Sequence, residues 1–486
     1  MTDIHCHPVR YIARIVLEAQ TPLSISTGNP DGVFDTALVR DANQLPAIPG
    51  SSLAGVLRHL HQAEHGKKDT DMLFGHADKD NGQPSRLAVS WGAMLDSHQR
   101  PALGLLLGKE GKDRLNNPLF KDAIAQIDAP TYRNRVRLSH RGTASDKGKF
   151  DRTILPAGHR FAVELRLRAT EPDDETWQNL LALLGHPGLR LGGGIRSGLG
   201  RMKLVQVHQG HFDLRDLGQS KAFRELGHTP MDTQGLHPYK IEEMLPAGWV
   251  QGTLKLEARG LWRIGQGAEP LSQKGQKPAD LLPLTEQPIE WKNSEGKPAP
   301  NPLLLVPASS IKGALAHRMA FHANCQRGIW ADDIELTPEK EPELPQVVRD
   351  LFGEVKDKQR DDNEDKGQAG RIYIDDAYVP IEPDKIARLM HNVIDRFTGG
   401  VRNRMLFEEE SIYQGSIEIP IALHTQPLED KPELKQAFKA ALDDLCQGRL
   451  ALGSRTTTGN GFFSGSVHGS LKDWLDSTAT NKEDAA

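Results

Sequence analysis

Ile48-Pro49-Gly50-Ser51-Ser52-Leu53-Ala54-Gly55 returns further along the chain as Val306-Pro307-Ala308-Ser309-Ser310-Ile311-Lys312-Gly313, an offset of 258. Leu73-Phe74-Gly75 returns as Leu351-Phe352-Gly353 with an offset of 278, so the second copy carries an insertion between these two motifs. Gly142, Phe150 and Gly158 match Gly399, Phe407 and Gly415, each with an offset of 257. Leu191-Gly192 and Gly198-x-Gly200 match Leu452-Gly453 and Gly459-x-Gly461, offset 261. Four motifs in one order and at nearly one spacing mark a tandem duplication.

Each copy opens with an alternating stretch that predicts a strand, 11–18 and 250–258. After each Pro-x-Ser-Ser comes a predicted helix, 51–61 and 309–321, with Ser51 and Ser309 as expected caps. Strands are expected at 160–168 and 416–423, helices at 174–184 and 433–446, and a last strand at 201–207 and 461–467. This order fits an α+β fold of two tandem ferredoxin-like sheets. The expected divisions are a first domain over 1–210, a connector over 211–247, a second domain over 248–475 and a disordered tail over 476–486. The wider segment 208–248 is rich in His, Gly, Pro and charge, and 359–370 reads as a charged surface loop.

The chain has 486 residues with 60 Lys and Arg against 65 Asp and Glu. That near balance excludes a histone-like basic protein and an acidic disordered one. The charge is uneven: residues 1–250 carry 31 basic and 28 acidic side chains, residues 251–486 carry 29 and 37. Within 131–168 stand ten Lys or Arg against three acids, Asp146, Asp151 and Glu164. Such a local excess attracts a polyanion, although a solvated strand face carries the same pattern. Cys6, Cys325 and Cys446 lie far apart and offer neither a disulfide framework nor a structural zinc site. With no run of 18 apolar residues and no apolar core in the first ten, a soluble cytoplasmic protein is expected.

Gly192-Gly193-Gly194-Ile195-Arg196-Ser197-Gly198-Leu199-Gly200-Arg201 leaves a helix rather than opening one and lacks Gly-Lys-Ser/Thr, which excludes both a dinucleotide fingerprint and an ATPase phosphate loop. Glycine lets a backbone approach a sugar-phosphate chain, and its amides can donate to phosphate oxygens. A plain tight turn explains one such loop; two at matched positions, with Arg196, Arg201 and Arg455 nearby, favour phosphate contact. The Ser-Ser helix starts present free amides and a positive dipole end, although simple N-capping explains each alone. The loop 27–45 holds Asp31, Asp35 and Asp41. A carboxylate there can hold Mg²⁺ beside RNA or orient a 2′-hydroxyl, but most loop aspartates form turns. No His-Glu-x-x-His or Gly-x-Ser-x-Gly is present, and His59 and His61 on a helix are candidates only for a metal-free cleavage.

The run Asp35-Thr36-Ala37-Leu38-Val39-Arg40-Asp41, with 45–55 after it, resembles the start of the CRISPR-associated RAMP superfamily. More narrowly it is similar to the Cas-seven-like backbone subunits of type III effector complexes, here as a fused double subunit of III-D-like kind. Phe150, 156–158 and the glycine loop fit as well, and 305–313, 351–353, 392–415 and 452–461 repeat the pattern. The resemblance implies ferredoxin-like (RRM-like) cores, inserted thumb hairpins at 140–149 and 397–405, and a guide RNA held by its backbone within a multi-subunit complex that pairs it with target RNA. It implies RNA contacts at Ser51, Ser52, Arg58, Arg133, Arg135, Gly193, Gly194, Arg196, Ser197 and Gly198. In the second copy it implies Ser309, Ser310, Lys312, Arg402, Arg404, Ser454, Arg455, Thr456 and Gly459.

The family's target-cleaving aspartate precedes a second Asp by six residues, which makes Asp35 the implied catalytic residue and a possible ligand of Mg²⁺ or another divalent cation. The second copy departs from this pattern: its loop 265–301 is longer and Ile289-Glu290-Trp291 replaces Val39-Arg40-Asp41, leaving Asp280 or Glu286 as substitutes. The expected function is metal-dependent cleavage of guide-paired target RNA. Two alternatives are a non-catalytic RNA scaffold and a metal-free guide-processing endonuclease using a histidine base.

Overall fold

The computed structural model describes residues 7–28, 36–78, 82–139, 142–172, 175–240, 245–271, 277–330, 332, 344–354 and 367–477. In the first repeat β1 (Val9–Ala19), α1 (Gly50–Phe74), β2 (Leu87–Val89), the hairpin β3 (Tyr132–Leu138) and β4 (Ala144–Thr153), β5 (Arg160–Ala169), α2 (Glu175–Ala182) and β6 (Met202–Asp213) follow in chain order. The sheet runs β2-β5-β1-β6, every neighbour antiparallel.

The second repeat has β7 (Trp249–Ala258), a short hairpin β8 (Ile289–Lys292) and β9 (Glu295–Pro298), and α3 (Ala308–Gln326). It continues with β10 (Ile372–Ile374), the long hairpin β11 (Ile386–Ile394) and β12 (Val401–Tyr413), β13 (Ser416–His424), α4 (Pro432–Cys446) and β14 (Phe463–His468). Its sheet order is β10-β13-β7-β14, again antiparallel. Within each repeat the order is second, third, first, fourth, the ferredoxin-like arrangement expected of the duplicated motifs.

Alternation explains the layers. Tyr11, Ala13, Ile15 and Leu17 of β1 share one face with Phe161, Val163, Leu165 and Leu167 of β5, and on it pack Leu53 and Leu57 of α1 with Trp177 and Leu180 of α2. The second repeat repeats this with Leu254 and Leu256, Ile417, Ile419 and Ile421, under Ile311 and Leu315 of α3 and Phe438 and Leu442 of α4. The connector is not bare chain. β6 runs on to Asp213, and Phe223 and Leu226 pack with Leu236 on Ile12 and Phe212 at the opposite face of the first sheet.

The helix starts differ from expectation. Pro49 and Pro307 occupy the N-cap positions and neither serine caps by its side chain; the amide of Ala308 instead donates to Asp376 Oδ1 at 2.8 Å. Proline suits this place because it has no N–H to leave unpaired. Helix α1 also runs past the expected end at 61, through a non-helical Gly66 (φ 80°). The segments 355–366 and 478–486, with most of the expected charged loop and tail, lie outside the described residues.

The two repeats meet at the glycine loop of the first. Arg190 forms an ion pair with Asp375 through both guanidinium ends, and Arg201 Nη1 lies 2.9 Å from the same carboxylate. Arg133 pairs with Glu286 and stands 3.4 Å from Asp376. The β8–β9 hairpin of the second repeat straps the first: Ile289 N donates to Ala157 O (2.8 Å), Trp291 Nε1 to Gly158 O (2.7 Å), and Arg160 stacks on the Trp291 ring at 4.1 Å. Ile195, Trp249 and Tyr373 add an apolar contact.

Gly198 sits in this junction with φ +100°, and a Cβ there would overlap the Asp376 carboxylate. Gly459, its counterpart, has φ +96° and open space around it. Gly198→Ala is therefore expected to destabilise by about 1–3 kcal/mol from backbone strain alone, plus the cost of displacing Asp376. Gly459→Ala carries the strain without the overlap, so thermal unfolding of the two variants should show the larger loss for Gly198→Ala.

Candidate nucleic-acid interface

The first glycine loop turns on itself. Gly193 N donates to Ser24 O (2.8 Å), Ser197 N to Gly194 O (2.8 Å), and Gly200 N to Pro22 O (2.9 Å). The Ser197 amide thus closes the turn and the Gly193 amide ties it to the segment after β1, so neither is free to donate to a phosphate. Gly198 is buried in the junction, packed against the Asp376 carboxylate.

The loop's role is to gather cations. The guanidiniums of Arg152 and Arg135 lie over Gly193 and Gly194, where a Cβ would meet them. Arg135 Nη2 donates to Ser197 O at 3.2 Å, and Arg196 Nε to Gly370 O at 2.6 Å, with its guanidinium over Tyr373. Lys312, one turn into α3 of the other repeat, closes the group. Burial, and then the charges of Arg196 and Arg135, push its ammonium down to about 8. Burial and the nearby Arg152 and Arg133 also lower Arg135, against the pull of Asp376. Four cations from a hairpin, a loop and a helix of two repeats thus crowd at one seam, and mutual repulsion is relieved by an anion.

Arg133 is excluded from this surface. It is buried among Glu286, Asp376 and Tyr378, and Tyr378 donates to Glu286 at 2.8 Å. An arginine read from sequence as an RNA contact is therefore the core of the junction. Glu286 is corrected with it, because a buried carboxylate held by Arg133 and Tyr378 has no access to a substrate. Burial dominates Asp376 and lifts it to about 7 despite Arg133 and the Ala308 amide. Arg58 pairs with Asp71 (2.5 Å) and donates to Gly75 O (2.6 Å).

Ser51 is exposed and Ser52 N donates to Pro49 O, whereas Ser309 and Ser310 are half-buried at the junction. The second glycine loop is built differently. Ser454 N donates to Arg263 O (2.8 Å), and Arg455, with φ +57°, lies 3.5 Å from the buried Glu409. Glu409 stands in the strand position of Arg152, as the pairs Arg133–Arg152 and Leu389–Glu409 indicate. Thr456 is half-buried and Gly459 exposed, but the cation excess of the first loop is absent here.

The expected thumbs are the β3–β4 and β11–β12 hairpins. Arg402 and Arg404 are exposed on the second, Arg402 3.9 Å from Asp395. Exposed apolar side chains line it too, with Phe397 97% exposed at the tip, beside Ile394 and Val401.

Asp35 and Asp31 lie outside the described residues. Thr36, next to Asp35, is held at the hairpin base: Thr153 Oγ1 donates to Thr36 O at 2.6 Å. In the second repeat Glu410 N, at the place of Thr153, donates to Leu281 O at 2.9 Å, which sets Asp280 at the place of Asp35. Asp280 is exposed and its Oδ2 accepts from Glu408 N at 2.9 Å. Asp41 is a turn former, accepting from the amides of Asn43 (2.8 Å) and Leu45 (2.9 Å). Among the described residues no group of three His, Cys, Asp or Glu could hold a metal ion. His61 is buried against Thr70 Oγ1 (2.8 Å), and burial together with His65 lowers it to about 4, which counts against its use as a base near neutral pH.

The RAMP superfamily model matches residues 16–203 and 255–464, one segment in each repeat. The chain belongs to the RAMP superfamily. A comparison with curated proteins finds no match. Among solved structures it is similar to a chain of the cryo-EM structure of the type III-B Cmr-beta bound to cognate target RNA, at 13% identity and a TM-score of 0.28, covering 41% of this chain and 60% of that one. No helix among the described residues is long and apolar enough to cross a membrane.

Phosphate beside Lys312 would restore its ordinary basicity, so binding takes up a proton above pH 8. RNA affinity is expected to fall as pH rises from 7 to 9, and Lys312→Gln should flatten that fall. The same variant should reduce the slope of log K against log salt by about one. Fluorescence anisotropy with a single-stranded RNA measures both.

Proposed function

We propose that this chain is a backbone subunit of a type III CRISPR effector complex that holds guide RNA along the seam of its two repeats. The observation that carries this is the cluster of Arg135, Arg152, Arg196 and Lys312 at one seam, in which burial first and then the charges of Arg196 and Arg135 lower the Lys312 ammonium. A sequence-independent cationic seam suits a ribose-phosphate chain whose bases stay free to pair, so specificity rests with the guide. The exposed hairpins are the elements we assign to the guide–target duplex.

Cleavage of the target belongs to the same proposal. In-line attack by a target ribose 2′-hydroxyl on its own phosphate leaves a 2′,3′-cyclic phosphate and a 5′-hydroxyl, and Asp35 is the residue to which we assign the orienting of that hydroxyl. A divalent cation, supplied by Asp35 together with RNA oxygens, would neutralise charge on the phosphate. Asp280, whose Oδ2 accepts from Glu408 N of the second hairpin, is the candidate for a second cut.

Co-purification followed by sequencing of the bound nucleic acid tests the class; short uniform CRISPR-derived RNAs are expected. In the assembled complex Asp35→Ala should abolish one cut in guide-paired RNA while guide retention stays unchanged, and Asp280→Ala should remove a second. Full cleavage by the Asp35→Ala, Asp280→Ala double variant would leave the chain as a scaffold.

A further inference from the structure

The β8–β9 strap fills a slot on the first repeat whose counterpart on the second repeat stands open. On the first repeat the strap meets three elements. Ile289 N and Trp291 Nε1 donate to the turn at Ala157 and Gly158, Gly296 N donates to Ser97 O at 2.9 Å, and the Trp291 ring lies on Arg160. A Cβ on Gly158 would overlap Ile289 O. The sheet register carries these places into the second repeat. Glu18 pairs with Arg160 and Glu257 with Ser416, while Ala19 N donates to His159 O and Ala258 N to Gly415 O. Gly92 bridges Ile48 as Ala377 bridges Val306, so Val379 holds the place of Met94 and Glu382 that of Ser97.

Around these places the second repeat forms a groove of about 570 Å³, bordered by Glu257, Val379, Glu382, Lys385, Gln414 and Gly415. Ser97, Ala157 and Gly158 are buried, whereas Glu382 and Gln414 are exposed and nothing lies within 4 Å of a Cβ built on Gly415. The chain has no second strap of this kind among the described residues. Ala47 N donates to Val39 O as Leu305 N does to Leu284 O, which makes the strap an insertion in the turn that follows. In the first repeat that turn is only Ala42, Asn43 and Gln44, closed by the bond from Asp41 N to Leu45 O and tied down by Asn43 on Gly104 O. A second copy stacked in the same order would bring this short turn, and no hairpin, to the groove.

The charge of the groove says what the missing hairpin must carry. Glu18 is paired with Arg160 at 2.8 Å, and that guanidinium supports Trp291. Ser416 at the place of Arg160 leaves Glu257 without an ion pair among the described residues, and Lys385 is taken by Glu382 at 2.8 Å. We propose that this groove is the docking slot for a hairpin of a separate chain, a strap of the β8–β9 kind that offers backbone N–H groups to the turn at Gln414 and Gly415 and carries Arg or Lys where β8 carries Trp291. Its bearer is a RAMP-type domain with the long form of the loop ahead of its Ser-Ser helix. Main-chain donors give the strap its seat and the cation selects it, since a Trp there would cover a carboxylate and strand its charge. The proposal rests on the comparison of the two repeats and is independent of the RNA reading.

The full chain and a cyclic peptide test it. The peptide is residues 288–299 closed through a D-Pro-Gly turn, made in native form and with Trp291→Arg, its hairpin pairing verified by NMR. In fluorescence anisotropy the wild-type chain should bind the Trp291→Arg peptide saturably with a Kd below about 1 mM, and the native peptide several-fold more weakly. Glu257→Gln should weaken the Trp291→Arg peptide by about tenfold. Ser416→Arg rebuilds the Glu18–Arg160 pair at an exposed site and should reverse the preference towards the native peptide. Paired hairpins that fail to bind either protein, or binding indifferent to both Glu257→Gln and Ser416→Arg, would overturn the proposal. Sedimentation velocity should find the wild type as single chains. A wild-type dimer dispersed by Glu257→Arg would make a second copy the occupant and overturn it equally.

Discussion

Two aspartates buried under three arginines hold this molecule in its shape. Asp375 and Asp376 follow the end of β10 beside the start of α3, and they receive Arg190, Arg201 and Arg133 from the other repeat. Removing such charges from water costs several kcal/mol each, and only close, multiply bonded geometry repays it. The net gain in stability is small, but the geometric demand is large. Asp376 also takes the first amide of α3, so the same carboxylate that receives an arginine of one repeat anchors a helix of the other. Gly198 is glycine because that carboxylate leaves no room for a Cβ.

With the junction set, the electrostatics of the seam follow. Arg133 is consumed by the acids, whereas Arg135, two residues along the same strand and on the same face of it, remains partly exposed and faces Lys312. The strand alternation that buries the first also aligns the second. Arg152 across the hairpin and Arg196 from the loop complete a group of like charges drawn from both repeats. No single repeat contains it. In the second repeat Glu409 stands at the place of Arg152 and pairs with Arg455, while His391 and Thr457 stand at the places of Arg135 and Arg196, so the excess is gone. The duplication therefore kept the scaffold while the charge on it diverged.

Much of the fold was legible from the duplicated motifs. Strands at 11–18 and 160–168 are observed as Val9–Ala19 and Arg160–Ala169, because alternation with a buried face is a local signal. The second helix of the second repeat, expected at 433–446, is Pro432–Cys446 for the same reason. The site was legible only in residue type. Arg133 and Arg135 look alike in sequence, and Glu286 looks like any loop carboxylate, yet burial separates an ion-pair core from a ligand surface. The stretch Ile289-Glu290-Trp291 read as a divergent catalytic loop, whereas it is the strand that straps the first repeat through Trp291. No periodicity announces a strap, since its partners lie on the other repeat.

Local order is thus written in the chain: hydrophobic period, the prolines ahead of α1 and α3, and glycines at positive φ act over a few residues and so can be read from them. Which cation is neutralised, which is left facing a like charge, and which glycine is pressed against a carboxylate depend on groups more than a hundred residues apart. Coulomb interaction and burial are functions of distance in space, and only the packed pair of repeats sets those distances.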